Sequence, residues 1–208
     1  MKTSVIFDFD GTLADTREAL LKAYPLIANK HNLKLLSEAE LYGLRKLPIK
    51  KRLDLLNIPL SKIPVIIHDT RVMVGSFIET CKPYEGIPDL LLSLVANKYK
   101  LNIISSNSED NIRRFLMKHQ LTYFDHIIAV NGLFGKHKSI KSMLRKTNTS
   151  KSAALYVGDE IRDIDSCKKA GVDIAAVAWG YDSVDMLLQQ KPEYLAYEPQ
   201  DILTILLS

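Results

Sequence analysis

The residues best suited to chemistry begin with Asp8 and Asp10, two carboxylates at the end of a short apolar run. Residues two apart in a strand point to the same side, so both carboxylates face one crevice while Phe9 faces the core. Two carboxylates this close repel each other unless a cation or a shared proton lies between them. Gly11 and Thr12 follow, and a glycine there lets backbone N–H groups approach a ligand. A turn built from short polar residues is the alternative.

A second acidic pair, Asp159 and Asp163, follows another apolar run through Gly158. Carboxylate oxygens without nitrogen or sulfur ligands suit Mg²⁺ better than a transition metal. A helix N-terminus also favours acidic side chains, and that alternative applies more to Glu160 than to Asp159. The candidate metal ligands are therefore Asp8, Asp10, Asp159 and Asp163.

Neutral and basic polar groups follow two further apolar runs. Ser106 and Asn107 come after one of them, and Lys136 and Lys138 come after Gly135. A hydroxyl, an amide and an ammonium gathered at one crevice suit a bound phosphate. Helix capping alone would explain the serine, and a solvated helix start would explain either lysine alone.

The elements that must position these residues are five short apolar runs separated by helix-like stretches. Such alternation predicts an α/β fold, a parallel sheet with helices on both faces, whose carboxyl strand ends border the ligand crevice. The predicted strands are residues 5–7, 101–105, 127–130, 154–157 and 174–177.

One interval breaks this alternation. Residues 16–81 show helical periodicity, with Ala19, Ala23 and Ile27 on one face, and prolines interrupt the later part. We expect a helical cap at 16–81, inserted into a core formed by 1–15 and 82–208. A Pro- and Gly-containing turn at 82–86 then leads into a core helix at 87–95.

Composition narrows the class of protein. The chain has 208 residues, 47% hydrophobic and 25% charged, which predicts an ordinary folded domain. Two distant cysteines argue against a disulfide scaffold or a zinc module, and the N-terminal residues offer no signal sequence. We therefore expect a cytoplasmic protein without membrane contact, a monomer or weak homodimer.

The net charge of +4 is concentrated in the cap. Residues 16–81 hold 11 Lys and Arg against 6 Asp and Glu. The basic strip at 45–52 could bind phosphates or RNA, but short charge runs are mostly solvated faces, and no nucleic-acid-binding signature accompanies this one. No nucleic-acid partner is expected.

Taken together, the motifs resemble those of the haloacid dehalogenase-like hydrolase superfamily, and flanking segments resemble its phosphoglycolate phosphatase-like branch. The resemblance covers the core but gives no match for the cap sequence. It rests on Asp8-Phe9-Asp10-Gly11-Thr12-Leu13, Ser106-Asn107, Lys136 and Gly158-Asp159 with Asp163, and on segments 84–87, 168–172 and 178–181.

The resemblance implies a three-layer Rossmann-like core and a Mg²⁺-dependent phosphatase acting on a small phosphorylated metabolite such as phosphoglycolate. Asp8 would be the nucleophile that forms an aspartyl-phosphate, and Asp10 the general acid and base. Mg²⁺ would be held by Asp8, the backbone carbonyl of Asp10 and Asp159, with Asp163 beside it.

The remaining roles implied by the resemblance concern the phosphate. Lys136 and Ser106 would act in catalysis and bind the phosphate, and Gly11, Thr12 and Asn107 would complete its site. Lys138 is the alternative to Lys136, because the chain lacks the Lys-Pro pair common in this branch. A phosphotransferase or phosphomutase acting on a sugar phosphate, and a non-catalytic phosphate-binding module, remain alternatives.

Overall fold

The computed structural model describes residues 1–130 and 135–208, and a central sheet organises them. In these residues six strands form one parallel sheet in the order β5-β4-β1-β6-β7-β8, and β2 pairs antiparallel with β3. The strands are β1 Ser4–Phe7, β2 Ala14–Asp15, β3 Lys82–Pro83, β4 Lys100–Ser105, β5 His126–Ala129, β6 Ala154–Gly158, β7 Asp173–Val177 and β8 Tyr194–Ala196.

Helices occupy most of the remaining described residues, together with three short 3₁₀ turns at Leu60–Lys62, Ile78–Thr80 and Lys151–Ala153. The helices are α1 Arg17–His31, α2 Glu38–Leu44, α3 Ile49–Leu55, α4 Ile63–Gly75, α5 Ile87–Ala96, α6 Glu109–Lys118, α7 Lys136–Lys146, α8 Ile161–Ala170, α9 Val184–Gln189 and α10 Pro199–Leu207.

The sheet is the middle of three layers, as the alternation of runs predicts. Successive side chains of β1 point to opposite faces: Val5 and Phe7 pack in the cluster that includes Phe115 of α6. Ile6 packs on the other face, in the cluster that includes Met143 of α7. Both faces are therefore covered, which confirms the predicted fold class.

Four helices, α1 to α4, lie in the interval 16–81 that we propose as the cap. The chain leaves the core through β2 and returns through β3, where Ala14 pairs with Pro83 and Asp15 with Lys82. The predicted apolar face of α1 is buried at Ala19. Because the outgoing and returning strands pair, the chain enters and leaves the insert at one place.

The five predicted strands are present, while β2, β3 and β8 were not predicted. These three are only two or three residues long, and pairing with distant segments forms them rather than a local apolar pattern. The predicted turn at 82–86 consequently starts with a strand. In the described ranges no helix is both long enough and apolar enough to cross a membrane.

Candidate active site

The loop after β1 extends the sheet and then turns sharply. The N–H of Asp8 donates to the oxygen of Val157 at 2.8 Å, and the carbonyl of Phe9 accepts later N–H groups of the loop at 3.0 Å. Gly11 has a φ of +75°, and a Cβ there would lie 2.2 Å from Oδ2 of Asp159. Glycine therefore permits both the turn and the close approach of two strand ends.

Three carboxyl groups meet at this edge of the sheet. Asp8, Asp159 and Asp163 are buried, and each offers an oxygen within 4.8 Å of the others. Gly158 makes room for them, because a Cβ at this position would lie 2.6 Å from Oδ2 of Asp163. The structure thus brings together three of the four aspartates that the sequence suggests as metal ligands.

Lys136, at the start of α7, lies between two of these carboxylates. Its Nζ is 2.7 Å from Oδ2 of Asp8 and 2.6 Å from Oδ1 of Asp163, and it stands 5.7 Å from the centre of the Tyr156 ring. Burial opposes its charge, but the two carboxylates raise the pKa of Lys136 above its ordinary value. Lys138 is exposed. Of the two candidate lysines, only Lys136 makes these contacts.

The acidic cluster holds more negative than positive charge, even though Arg162 also acts on Asp163. Burial, followed by the charges of Glu160 and Asp8, raises the pKa of Asp159. Burial also raises the pKa of Asp163, whose Oδ2 accepts the N–H of Glu160 at 3.2 Å. Three carboxyl groups around one ammonium favour a further cation, and their oxygen-only donor set fits Mg²⁺.

Asp159 is oriented by neighbours on both of its oxygens. The hydroxyl of Thr12 donates to Oδ1 at 2.8 Å, and the N–H of Tyr181 donates to Oδ2 at 2.7 Å. The indole N–H of Trp179 holds the carbonyl of Thr12 at 3.1 Å. Thr12, expected at the phosphate, therefore has its hydroxyl engaged with a carboxylate instead.

Asp10 lies apart from the acidic cluster and contacts Asn107. The amide of Asn107 donates to Oδ1 of Asp10 at 3.0 Å, while its oxygen accepts the N–H of Ser108 at 2.8 Å. Burial, and next the charge of Asp8, raises the pKa of Asp10 to about 6. A carboxyl with such a pKa can exchange a proton near neutral pH. Asn107, also expected at the phosphate, is engaged with this group.

Two serines at the end of β4 differ in position. Ser105 is fully buried and its hydroxyl oxygen accepts the N–H of Asn107 at 3.0 Å, whereas Ser106 is half-buried and lines a cavity of about 320 Å³. Asp10 and Gly11 line the same cavity. The N–H of Gly11 donates to the carbonyl of Ala14 at 3.0 Å, so it serves the turn.

The cap is held over this cavity by contacts that sequence reasoning missed. Arg52 of α3 forms a buried ion pair with Asp182 and stacks on the ring of Tyr181 at 5.1 Å. Arg45 donates to the carbonyl of Gly180 at 3.3 Å. Both arginines belong to the basic strip at 45–52, and nothing in that strip distinguishes them from its exposed lysines.

Comparisons with known proteins show the family. A family model described as haloacid dehalogenase-like hydrolase matches residues 5–177. The phosphoglycolate phosphatase of Synechococcus elongatus is 27% identical over 205 residues, which cover 96% of this chain and 95% of that protein. The pyrophosphatase PpaX of Listeria monocytogenes is 24% identical over 217 residues, covering 98% and 95% of the two chains.

A solved structure shows the same fold. The crystal structure of a predicted phosphatase from Clostridium acetobutylicum matches with a TM-score of 0.85 at 23% identity, covering 100% of this chain and 99% of that one. The family model spans the chain from β1 to β7 and includes every residue of the acidic cluster. The chain therefore belongs to the haloacid dehalogenase-like hydrolases, as a phosphatase of the phosphoglycolate phosphatase-like branch.

Proposed function

We propose that the protein is a Mg²⁺-dependent phosphatase that hydrolyses a small phosphorylated metabolite through an aspartyl-phosphate on Asp8. The observation that carries the proposal is the buried Lys136, which bridges Asp8 and Asp163 beside Asp159. A carboxylate can approach a phosphate dianion only where positive charge compensates their repulsion, and this cluster supplies an ammonium and a cation-binding donor set.

The acidic cluster fits a magnesium ion. Asp8 and Asp159 would hold it, with the backbone carbonyl of Asp10 as the family resemblance implies, and Asp163 would contribute from beside Lys136. When bound, the ion neutralises charge on the phosphoryl oxygens. Thr12 serves this site indirectly, because its hydroxyl fixes the carboxylate of Asp159.

The chain's own residues carry the chemical steps. A carboxylate oxygen of Asp8 attacks phosphorus, the bond from phosphorus to the ester oxygen breaks, and Asp10 gives its proton to the departing oxygen. Water then attacks the phosphorus of the aspartyl-phosphate and gives a proton to Asp10. The bond from phosphorus to Asp8 breaks, so inorganic phosphate is released and Asp8 is restored. Asn107 holds Asp10 in place for both transfers.

Lys136 and Ser106 are the side chains we assign to the phosphoryl oxygens. Lys136 is already in contact with the proposed nucleophile, and Ser106 lines the cavity beside Asp10. Thr12 and Asn107, in contrast, act through the carboxylates that they contact. Gly11 serves by leaving space for Asp159.

The test is phosphate release from an aryl phosphate, phosphoglycolate and pyrophosphate, with Mg²⁺ or with EDTA. Wild type is compared with Asp8→Asn and with Asp110→Asn, a matched change on the exposed face of α6. We expect Mg²⁺-dependent release that only Asp8→Asn abolishes. Equal amounts of phosphate and alcohol distinguish hydrolysis from transfer to another acceptor. No release by folded wild type, or full activity in Asp8→Asn, contradicts the proposal.

We place this activity in the cytoplasm. Cys81 and Cys167 are free and buried, as suits a reducing compartment. The substrate is a small molecule rather than a nucleic acid or a membrane, and the proposed oligomeric state is a monomer or weak homodimer. Light scattering on the purified protein checks the oligomeric state, and a stable larger assembly contradicts it.

A further inference from the structure

We propose that the substrate is a phosphate monoester whose alcohol part is an apolar chain, an inference that rests on the phosphatase function above. The observation that carries it is the chemistry of the cavity next to Asp10 and Ser106, about 320 Å³ in volume. Small-molecule sites have volumes of roughly 300–1,000 Å³, so this cavity has the size of a ligand site.

The two walls of the cavity differ in chemistry. Its core wall carries polar groups such as Asp10, Ser106 and Asn107. All the aliphatic side chains among its described lining residues come from the cap, and most are buried or half-buried. They include Leu20 of α1, Leu44 of α2, Leu53 of α3, and Ile63, Ile66 and Ile67 of α4. A phosphoryl group at the core wall would therefore direct its alcohol part towards aliphatic surface.

Three of the arginines at the cavity disfavour a second acidic group on the substrate, because they are already paired. Four arginines line it, and three of these are already ion-paired with carboxylates of this chain. A substrate carboxylate would have to compete with these carboxylates for the same guanidinium groups. The pairs are Arg17 with Asp15, Arg52 with Asp182, and Arg162 with Glu160.

The apolar space continues into the cap. A second cavity of about 800 Å³ shares the lining residues Leu20, Leu44 and Ile66 with the first. It extends between α1 and α2, where Ile27 and Leu33 line it. A chain that starts at the phosphoryl position therefore has room to extend beyond the first cavity, and each carbon buried there gains hydrophobic stabilisation.

The reaction is the hydrolysis proposed above with a defined leaving group. Asp8 displaces the ester oxygen from phosphorus, and Asp10 gives that oxygen a proton, so that it leaves as a primary alcohol. Water then hydrolyses the aspartyl-phosphate and releases inorganic phosphate. Phosphate esters of straight-chain alcohols from ethyl to octyl share this chemistry, since their leaving groups differ only in length. Their relative kcat/KM values therefore measure burial of the chain.

The experiment measures kcat/KM for this series, with phosphoglycolate and an aryl phosphate in parallel. Burial of one methylene is worth about 0.8 kcal/mol, so we expect kcat/KM to rise about fourfold per carbon until the cavity is filled. Phosphoglycolate should fall below the longer alkyl esters. Equal kcat/KM values along the series, or preference for phosphoglycolate over all alkyl esters, overturn the inference while the phosphatase function stands.

A matched pair of α4 variants tests whether the aliphatic wall from the cap causes the preference for longer alkyl chains. Ile67→Asn places a polar group in the cavity lining, whereas Val65→Asn changes a side chain that is 47% exposed on the same helix. We expect Ile67→Asn to lower the octyl-to-ethyl ratio of kcat/KM by about tenfold, and Val65→Asn to leave it unchanged. An unchanged ratio in folded Ile67→Asn contradicts the cap assignment.

Binding without turnover gives a measurement that does not depend on a cap variant. In calorimetry, Asp8→Asn should bind octyl phosphate more tightly than ethyl phosphate and with a more negative heat-capacity change. Equal affinities for the two esters would overturn the apolar-chain inference. Absence of phosphate release from every ester by folded wild type would instead contradict the proposed phosphatase function, so the two failures are distinguishable.

Discussion

The core and the proposed cap contribute different side chains to one cavity. The core brings carboxylates, an amide and a hydroxyl to the ends of parallel strands, at Asp8, Asp10 and Ser106 among others. The cap brings leucine and isoleucine side chains from four helices. We therefore assign the reaction to the core and selectivity to the proposed cap, and variants in each part test these assignments separately.

The candidate site in the core is tightly held. The central strands β1 and β6 of the core are completely buried, and Asp159 at the end of β6 is held by hydrogen bonds to both of its oxygens. We therefore expect substitutions to have the largest effects where charge is buried.

The largest effect is expected at Lys136. Lys136→Met keeps the length of the side chain but removes the ammonium between Asp8 and Asp163. Loss of a preorganised charge of this kind lowers kcat by about 10²–10³-fold. Steady-state kinetics on protein shown to be folded by circular dichroism measure this.

Lys138→Met is the matched control, because Lys138 lies on the same helix but is exposed. We expect its kcat to equal that of wild type. A large loss in Lys138→Met, or none in Lys136→Met, would mean that the core does not use Lys136 as its positive charge. The comparison thereby tests the choice between the two lysines by function as well as by geometry.

The next prediction concerns protein stability and the buried ion pair that joins the cap to the core. Arg52→Ala leaves Asp182 buried without the guanidinium that contacts it, and breaking a buried pair in this way costs about 3–5 kcal/mol. Burial already raises the pKa of Asp182. Denaturant unfolding should therefore show a large loss of stability in Arg52→Ala.

A double-mutant cycle separates this pair from its surroundings. We expect the combined Arg52→Ala and Asp182→Asn variant to lose less stability than the sum of the single variants, because each single change removes the same interaction. Additive losses would show that the two side chains do not interact across the boundary. In that case other contacts, such as that of Arg45 with the carbonyl of Gly180, must hold the cap in place.

Much of the core was predictable because its signals are local. Each of the five strands is a short apolar run, and the aspartates follow two of these runs directly, so topology alone brings Asp8 and Asp159 to one edge. The helical character of the insert was also predictable, from the periodicity of α1 and the prolines that follow. These features need no knowledge of distant contacts.

The remaining features depend on partners that are distant in sequence. The strip at 45–52 gives no sign that Arg52 pairs with Asp182, which is 130 residues away. The sequence likewise gives no sign that the hydroxyl of Thr12 donates to Asp159, which is 147 residues away. The apolar cavity could not be predicted from the sequence either. Side chains of the cap that pack in a core and those that line a cavity follow the same helical periodicity.

A smaller effect than at Lys136 is expected at Thr12, which acts through Asp159. Thr12→Val removes the hydroxyl that orients Asp159 but keeps the shape of the side chain. Loss of such a partner typically weakens metal affinity or activity by about 10–100-fold. Activity titrated against Mg²⁺ should therefore need higher concentrations, and Thr12→Ser should restore the wild-type requirement. An unchanged requirement in Thr12→Val contradicts this role.

The last prediction makes the same substitution in both regions. A Cβ at Gly180 would lie 2.0 Å from Cβ of Asp159, so Gly180→Ala overpacks the site and should lower the free energy of unfolding by about 1–3 kcal/mol. Gly43 lies in α2 of the cap, where a Cβ would meet no atom of the described residues outside its own helix turn within 4 Å. Gly43→Ala should raise the free energy of unfolding by about 0.5–1 kcal/mol, because alanine loses less conformational freedom in a helix.

Denaturant unfolding of the two glycine variants measures both changes on one scale. Opposite signs are expected because the core leaves no space at Asp159, whereas the surface of the cap tolerates an added methyl group. A gain of stability in Gly180→Ala would mean that the strand ends can move apart. The close approach that positions Asp159 would then be adjustable, and the rigidity assigned to the core would be wrong.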